Sequence, residues 1–351
     1  MASLFSCSIF SGKIKTPDYT ASQQYSEGKF RNQKDFNMND SGTIARIAWR
    51  YMTEKRVDAS PAGDIPLTQL NKEQLIAENK TGTALYRLGH SSILLATEGE
   101  FWLIDPVFSD RASPVQWMGP KRFHPVPINH DQLPEIKGVI ISHDHYDHLD
   151  QTTIKQLSSI AEYFITPLGI GQLMLDWGVD QQQIHELDWW QHVNIGKLKL
   201  TATPAQHFSG RGITGGNQTL WASWSIETPD QKIFYSGDTG YFEGFKKIGE
   251  RLGPFDLTLI ENGAYDQDWS EVHMKPEETL QAHIDVKGKA LLPVHNGTFD
   301  LALHPWHEPF ERISELADAA GVKLVTPETG ERLDVANMNG TSFWWRQLTT
   351  K

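Results

Sequence analysis

The chain has 351 residues, 39% of them hydrophobic, and a formal net charge of −12 at pH 7. This length suits one large domain or two ordinary ones, with enough apolar residues for a sizeable core. The acidic balance argues against nucleic acid as a partner, because a nucleic-acid-binding protein presents a basic surface. The single cysteine, Cys7, excludes an intramolecular disulfide bond and a cysteine-rich zinc site.

No run in the sequence approaches the roughly 18 to 20 apolar residues that span a bilayer. The first ten residues lack the positive charge that opens a signal peptide. We therefore expect a cytoplasmic protein. Peripheral contact with a membrane and homo-oligomerisation stay open, because side chains from distant segments would form the surface patches that mediate them.

The pattern of residues divides the chain near residue 80. Residues 1–80 read as an N-terminal extension, either packed on the rest of the chain or flexibly tethered to it, with helical patterns at 43–55 and 68–79. Residues 81–351 read as one regular domain, because no flexible linker interrupts its core.

Strand-like and helical patterns alternate from residue 83 onward, which predicts an α/β fold. We predict strands at 84–88, 92–96, 101–104, 137–141, 164–167, 198–202, 220–227, 232–235, 255–260, 290–294 and 322–325. We predict helices at 151–163, 169–177, 276–284 and 308–320. A long irregular loop at 107–127 favours a functional role, since such loops are uncommon in compact domains.

Side chains that bind metals are concentrated after the strand predicted at 137–141. Four of them fall within six residues: His143, His145, Asp147 and His148. Three more candidates also follow strand-like runs: His207, Asp238 and His295. Imidazoles and carboxylates are ligands for zinc, iron or manganese. Because strand ends position loop residues rigidly, we expect these side chains to assemble into one metal site.

A two-metal hydrolytic site needs about three protein ligands for each ion and a bridging ligand. The first ion would take His143, His145 and His207. The second ion would take Asp147, His148 and His295, and Asp238 would bridge the two. Water between the ions would lose a proton near neutral pH, so a metal-bridging hydroxide is the expected nucleophile.

The order of these residues resembles that of the metallo-β-lactamase superfamily, whose motif His-x-His-x-Asp-His is followed by separate His, Asp and His ligands. The loop Ser113-Pro-Val-Gln-Trp-Met-Gly-Pro120 is similar to one in the N-acyl-phosphatidylethanolamine-hydrolysing phospholipase D family. Further similar stretches are 145–150, 186–190, 237–241, 253–256, 263–265, 276–278 and 297–299. The resemblance covers about residues 84–332, and Phe30-Arg-Asn32 upstream is also similar to that family.

This resemblance implies a four-layer αβ/βα sandwich that binds two zinc ions per chain, with iron or manganese as alternatives. It implies a phosphodiesterase whose substrate is a phospholipid or a small phosphodiester, with N-acylethanolamine and phosphatidic acid as products. The positions that match the family's substrate pocket are Gln116, Trp117, Tyr146 and His273. Catalytic roles fall to Asp147 and to His273, which suits a general acid, while His90 and Asp105 would orient the ligands.

Two departures from the family pattern concern specificity. Trp117 stands where the family commonly has Tyr, and His295-Asn296 stands where it often has His-Trp. These departures leave the acyl-chain preference unpredicted. A lactonase or another hydrolase of small soluble esters is the alternative, because this superfamily hosts many reactions. A metal-dependent binding protein without turnover is a third interpretation, against which the complete ligand set argues.

Overall fold

The computed structural model describes residues 18–34, 46–47, 49–50, 52–212, 215–338 and 342–349. Strands in the first part of the chain are β1 Tyr25–Ser26, β2 Lys29–Phe30, β3 Thr83–Gly89, β4 Ser92–Thr97, β5 Glu100–Ile104, β6 Ile136–Ile140, β7 Ala161–Pro167 and β8 Ile184–Leu187. Those that follow are β9 His192–Ile195, β10 Leu198–Thr203, β11 Ser223–Glu227, β12 Lys232–Tyr235, β13 Leu257–Glu261, β14 Ala290–Val294, β15 Lys323–Leu324 and β16 Arg332–Asp334.

Among the described residues, the α-helices of at least seven residues are α1 Lys72–Glu78, α2 Gln151–Leu157, α3 Ile170–Asp176, α4 Gly244–Arg251, α5 Pro276–Asp285 and α6 Glu308–Ala320. Local signals explain several of their ends. Asp150 caps α2 by accepting from the Thr152 backbone N–H, and Pro276 opens α5, where its missing N–H costs nothing. Gly321 closes α6 with a φ of 66°, a conformation that glycine adopts without strain.

Two seven-stranded sheets form the frame of the described structure. The first has the order β16-β3-β4-β5-β6-β7-β8, and the second has the order β15-β14-β13-β12-β11-β10-β9. In each sheet one half is antiparallel and the other half is parallel. Most parallel strand pairs are joined through α-helices, whereas β5 and β6 are joined by the long irregular segment that includes residues 107–127.

The hydrophobic core separates into layers that define the architecture. One cluster joins the inner faces of the two sheets and includes Trp102, Trp224 and Leu259. Separate clusters pack α1, α2 and α3 on the outer face of the first sheet, and α4, α5 and α6 on that of the second. The fold is therefore the four-layer αβ/βα sandwich that was predicted.

Several predicted elements differ from the observed ones at their ends. The helix predicted at 151–163 stops at Leu157, because Ala161–Pro167 pairs with β6 as strand β7. The strand predicted at 220–227 begins only at Ser223. Helical backbone occurs at 46–47, 49–50 and 52–53, and the rest of the helix predicted at 43–55 lies outside the described residues or is not helical.

The described part of the N-terminal extension packs on the sandwich. Phe30 is fully buried in the cluster between the two sheets, and Tyr19 and Tyr25 pack against the same cluster. The domain boundary near residue 80 stays a prediction. Among the described residues, no helix has the length and apolar character needed to cross a membrane.

Candidate metal centre

The candidate metal ligands lie on loops that follow four strands. His143 follows β6, His207 follows β10, Asp238 follows β12 and His295 directly follows β14. Both β10 and β12 run antiparallel to β11, while β12, β13 and β14 are parallel to one another. The carboxyl ends of β10, β12 and β14 therefore meet at one edge of the second sheet, as the sequence predicted for these ligands.

Unusual backbone conformations occur around the candidate ligands, at strand ends of both sheets. His90, Asp105 and His295 have φ values of 52°, 40° and 63°, in the left-handed region that non-glycine residues rarely adopt. Gly237 has a φ of 57°, and a Cβ on it would lie 2.7 Å from Ser142 Cβ, so only glycine fits beside Asp238. Such conformations persist where the surrounding structure holds them, and they concentrate at functional sites.

The first ligand set consists of His143, His145, His207 and Asp238. His145 Nδ1 lies 2.9 Å from His143 Nε2 and 3.2 Å from His207 Nε2. Asp238 Oδ2 lies 3.7 Å from His143 Nε2 and 4.0 Å from His207 Nε2. Three nitrogen atoms and one oxygen atom thus converge on one point, which suits a tetrahedral metal ion.

The second set consists of Asp147, His148 and His295, with His90 in the same cluster. Asp238 of the first set also approaches this set. His295 Nε2 lies 3.2 Å from Asp147 Oδ2 and 3.0 Å from Asp238 Oδ2. His148 Nε2 lies 3.6 Å from Asp147 Oδ2 and approaches Asp238 Oδ1 to 3.1 Å, but the last two atoms are not aligned for a hydrogen bond. Both are buried and have no hydrogen-bond partner among the described residues. Buried polar atoms are rarely left unpaired, so this pair fits a metal ion.

Surrounding residues orient the imidazoles. Asp105 Oδ2 accepts from His148 Nδ1 at 2.7 Å, and Asp105 Oδ1 accepts from the Ser142 backbone N–H at 2.7 Å. His90 Nε2 lies 3.0 Å from Asp147 Oδ2. Because Nδ1 of His148 is engaged, its Nε2 is the nitrogen that faces the ligand set. The structure thus places His90 and Asp105 in contact with candidate ligands, and their orienting roles stay predictions.

The charges of the two sets favour cations. Burial opposes ionisation of Asp147 and Asp238, but His148, His295 and, for Asp147, His90 together outweigh it and hold the pKa of both carboxyl groups well below the usual range. Burial also disfavours the charged form of His295, yet Asp238 and Asp147 raise its pKa to about 10. Protons and metal ions therefore compete for the same imidazole nitrogens.

The histidines of the first set are neutral. Burial lowers the pKa of His143 and of His207 well below 6.5, and neighbouring histidines lower it further. A neutral imidazole has the lone pair that a metal ion needs. The first set therefore carries its ligands in the protonation state that binds metal.

A cavity of about 270 Å³ lies over the two sets. Its polar lining consists of His145, Asp147, Asp238, His273 and His295. Its apolar lining consists of Phe208, Ala264, Trp269, Val272 and Leu301. A small group of convergent polar side chains within apolar walls is typical of a substrate site.

His273 is the predicted substrate-pocket residue that the structure places in this cavity. Its Nδ1 lies 3.2 Å from Oε2 of the buried Glu261, and its ring centroid lies 5.1 Å from that of His295. Glu261 is itself held by the backbone N–H groups of Thr239 and Met274. This arrangement fixes the imidazole beside the ligand sets.

The other predicted pocket residues lie elsewhere. Gln116 hydrogen-bonds with the backbone of Arg111, and Trp117 is 76% exposed. The Tyr146 hydroxyl donates to the Arg211 carbonyl oxygen at 2.7 Å. None of Gln116, Trp117 and Tyr146 lines the cavity in the described structure, and their roles in substrate binding stay predictions.

Sequence reasoning missed several residues of the site. Glu261 ends strand β13, so the rule that strand ends carry functional residues would have found it. Phe208 directly follows the candidate ligand His207, which is a weaker signal. Trp269 and Leu301 lie on irregular loops, and no periodicity in the sequence connects them with the metal ligands.

Comparison with known proteins identifies the family. A family model described as "Beta-lactamase superfamily domain" matches residues 102–296, which is more than half of the chain. The chain therefore belongs to the beta-lactamase superfamily. With its fold and its His/Asp clusters, it is a metal-dependent hydrolase of that superfamily.

Sequence similarity to known proteins covers most of the chain. It is 41% identical over 331 residues to an uncharacterized protein of Mycobacterium tuberculosis, covering 93% of this chain and 88% of the relative. It is 35% identical over 262 residues to the N-acyl-phosphatidylethanolamine-hydrolyzing phospholipase D 1 of Caenorhabditis elegans, covering 70% and 73%. A mitochondrial protein of Saccharomyces cerevisiae with the same described activity is 34% identical, covering 70% and 54%.

Solved structures share the fold. An isothiocyanate hydrolase from Delia radicum gut bacteria superposes with a TM-score of 0.57 at 18% identity, covering 71% of this chain and 98% of that one. The metallo hydrolase Igni18 from Ignicoccus hospitalis superposes with a TM-score of 0.53 at 20% identity, covering 72% and 97%. At these identities the likeness concerns the fold alone.

Proposed function

We propose that the protein is a two-metal phosphodiesterase of the phospholipase D type that hydrolyses N-acyl-phosphatidylethanolamine or a related glycerophospholipid. The observation that carries this proposal is the pair of ligand sets with Asp238 close to both, beneath one cavity with apolar walls. A polar centre beside apolar side chains suits a phosphodiester that bears hydrocarbon groups. The relatives in C. elegans and S. cerevisiae named for this activity support it.

The ligand sets fit two zinc ions, and the same atoms accept iron or manganese. When bound, such ions supply Lewis acidity and activate water for attack on phosphorus. The chain contributes the negative charge of Asp147 and Asp238, which balances that of the cations. Asp105 and His90 hold His148 and Asp147 in the orientation that binding needs.

His273 is the proposed general acid. Its Nδ1 contacts Glu261, so Nε2 is the ring nitrogen available to the cavity that His273 lines. In the proposed reaction the oxygen of water bonds to phosphorus and the P–O bond to the N-acylethanolamine breaks. The proton of His273 passes to the leaving oxygen, and the proton released by water restores the imidazolium.

The apolar side chains of the cavity receive the hydrocarbon part of the substrate in this proposal. Phe208, Trp269 and Leu301 are partly buried and line the cavity beside His145 and His295. They also exclude water from the reacting centre. The acyl chains of a phospholipid extend beyond the cavity, so a peripheral contact with a lipid surface and a cytoplasmic location belong to the same proposal.

Hydrolysis of small soluble esters or lactones is the second candidate function. The cavity of about 270 Å³ lies just below the roughly 300–1,000 Å³ of typical ligand pockets. It therefore holds a head group or a small ester, rather than a whole diacyl lipid. This volume is the observation that favours a small substrate.

A three-substrate comparison tests the two candidates. Metal-loaded protein is incubated with N-acyl-phosphatidylethanolamine in mixed micelles, with bis-p-nitrophenyl phosphate and with a panel of lactones, each with and without chelator. We expect chelator-sensitive release of N-acylethanolamine. Lactone turnover without lipid turnover would establish the second candidate, and no turnover of any substrate at full metal occupancy would contradict both.

The variant His273→Gln tests the general acid. We expect turnover of the lipid to fall by roughly 10²–10⁴-fold, because its alkoxide leaving group needs a proton. Turnover of bis-p-nitrophenyl phosphate should change little, because p-nitrophenolate leaves without one. His192→Gln, an exposed histidine of β9, is the matched control. Equal losses on both phosphodiesters would contradict this role.

A further inference from the structure

The side chain of Asn32 contacts the backbone of His207 at two points. Asn32 Nδ2 donates to the His207 carbonyl oxygen at 2.7 Å, and Asn32 Oδ1 accepts from the His207 backbone N–H at 3.0 Å. The same Oδ1 accepts from the Trp221 indole N–H at 3.1 Å. One amide therefore engages both polar backbone groups of a candidate metal ligand.

These backbone groups depend on Asn32. His207 is fully buried and lies in an irregular segment after β10, so no strand ladder satisfies its backbone. Within the described parts of the chain, its N–H and C=O have no hydrogen-bond partner other than Asn32. Buried backbone groups of this kind are almost always paired, so losing the amide would displace the segment or leave both groups unpaired.

The imidazole of His207 is held separately. Its Nδ1 lies 3.1 Å from the Val272 carbonyl oxygen, and its Nε2 lies 3.2 Å from His145 Nδ1 in the first ligand set. The contact of Nδ1 with the Val272 carbonyl oxygen fixes the rotation of the imidazole, while Asn32 fixes the backbone that carries it. Together these contacts determine where Nε2 lies relative to the other ligands.

Asn32 is itself firmly anchored. The preceding hairpin of β1 and β2 buries Phe30 completely between the two sheets. The ring centroids of Phe30 and Tyr25 lie 4.9 Å apart, and the Phe30 backbone N–H donates to the Asn217 carbonyl oxygen at 2.8 Å. The hairpin therefore delivers Asn32 to His207 from a packed position in the core.

We propose that Asn32 is a positioning residue for the metal-binding imidazole of His207, supplied by a segment outside the 102–296 region that matches the family. This inference rests on His207 as a metal ligand and does not depend on the substrate. It assigns the N-terminal segment 18–34 a part in building the first ligand set.

The test compares metal affinity in four full-length proteins: the natural chain, Asn32→Ala, Arg31→Ala and His207→Ala. Arg31 is the matched control, because it lies next to Asn32 but pairs with Glu27 at the surface. Affinities for Zn²⁺ are measured by competition with a chromophoric chelator. Co²⁺ absorption spectra report the geometry of the sites.

We expect Asn32→Ala to lower the affinity for one of the two Zn²⁺ equivalents by roughly 10- to 100-fold, the range typical of residues that support metal ligands. The weakened equivalent should be the one that His207→Ala removes, and the other should be unchanged. The Co²⁺ absorption bands should shift in Asn32→Ala and stay the same in Arg31→Ala. Wild-type affinity for both equivalents would overturn the inference.

Equal weakening of both equivalents would also overturn it, because that result indicates a general loss of structure. Asn32→Asp provides a second variant that keeps the acceptor for the two N–H groups and loses the donor to the His207 carbonyl. If Asn32→Ala unfolds, Asn32→Asp decides the test. We expect it to lower the affinity for the same single Zn²⁺ equivalent. Wild-type affinity in this variant would overturn the inference. Selective weakening without turnover of any substrate would contradict the proposed function and leave this inference standing.

Discussion

Asp238 lies 3.7 Å from His143 of the first ligand set and 3.1 and 3.0 Å from His148 and His295 of the second, whereas Asp147 belongs to the second set only. We therefore expect Asp238→Asn to lower the binding of both metal equivalents and Asp147→Asn to lower mainly one. Both variants should abolish turnover, because each removes a charge that balances the cations. Metal analysis after dialysis, together with rate measurements, checks this.

Asp318→Asn, an exposed change on α6, is the control for these variants. It should retain both equivalents and the full rate. Loss of the same single equivalent in Asp238→Asn and Asp147→Asn would show that Asp238 is not shared between the two sets.

His283 gives the protein a defined sensitivity to acid. It lies on the buried face of α5 with its Nδ1 2.8 Å from Thr258 Oγ1, and burial lowers its pKa from 6.5 to about 4. The unfolded chain takes up this proton below about pH 6.5, and the folded chain only near pH 4. The free energy of unfolding should therefore fall as the pH drops through this window, by up to about 3 kcal/mol.

Urea unfolding at pH 7.5 and at pH 4.5 checks this contribution. His283→Gln should lose less stability between the two pH values than the natural protein does, since glutamine does not titrate. His192→Gln, at an exposed position, should behave like the natural protein. An unchanged pH dependence in His283→Gln would contradict the prediction.

The residues of the site were predictable from the sequence to different degrees. His143, His145, Asp147 and His148 lie close together in the chain, and the metal chemistry of that pattern is visible without a structure. Asn32 was not predictable as part of the site, since it acts on a backbone 175 positions away. Only tertiary packing brings the two segments together.

Arg87 connects strand β3 with the loop after β14. It is buried, and its Nη2 donates to the backbone and side-chain oxygens of Asn296 at 2.8 and 2.7 Å. It also faces the rings of Phe310 and Trp344 at 5.4 and 5.7 Å. Because Asn296 follows the candidate ligand His295, this link supports one edge of the metal site.

We expect Arg87→Ala to lower the free energy of unfolding by about 3 kcal/mol, since hydrogen bonds to charged groups contribute roughly 1.5–3 kcal/mol and a cavity adds to the loss. Arg312→Ala removes a surface ion pair with Glu277 and should cost less than about 1 kcal/mol. Chemical denaturation of both variants measures the difference. Similar losses in the two would show that Arg87 does not support this loop.

Strands and helices were predicted best where the residue pattern of the segment itself indicates both its type and its ends. Strands β12 and β14 and helix α6 have the predicted bounds, since short apolar runs mark the two strands and helical periodicity marks the helix. The end of α2 was predicted wrongly because pairing of β7 with β6 overrides the helical pattern there. Strands β8, β9 and β16, and the two-residue strands β1 and β2, were not predicted.

At the scale of the whole molecule, metal binding should stabilise the fold. A ligand that binds the folded chain at 100 times its dissociation constant adds about 2.7 kcal/mol. We expect Tm to rise on addition of Zn²⁺ and to fall with chelator. Differential scanning calorimetry on the natural protein and on His207→Ala checks this. An equal response in the two would place the stabilising ion outside the first set.

The fold class followed from the alternation of strands and helices together with the family resemblance, because both are properties of the whole chain. The shape of the cavity could not be predicted in the same way. Its apolar residues come from three separate loops, around Phe208, Trp269 and Leu301, whose mutual placement is set by the sheets beneath them.

Each ligand set draws residues from both sheets: His143, His145, Asp147 and His148 follow a strand of the first, while His207, Asp238 and His295 follow strands of the second. A bound ion would therefore join the two halves of the chain at this edge of the core, in addition to the hydrogen bonds that already cross between the sheets there, such as Arg87 to Asn296 and Tyr235 to Asp105. Metal availability would then govern resistance to proteases. When chelator has removed the metal, limited proteolysis should begin in the loops that carry the candidate ligands between the two sheets, while the outer helices stay intact.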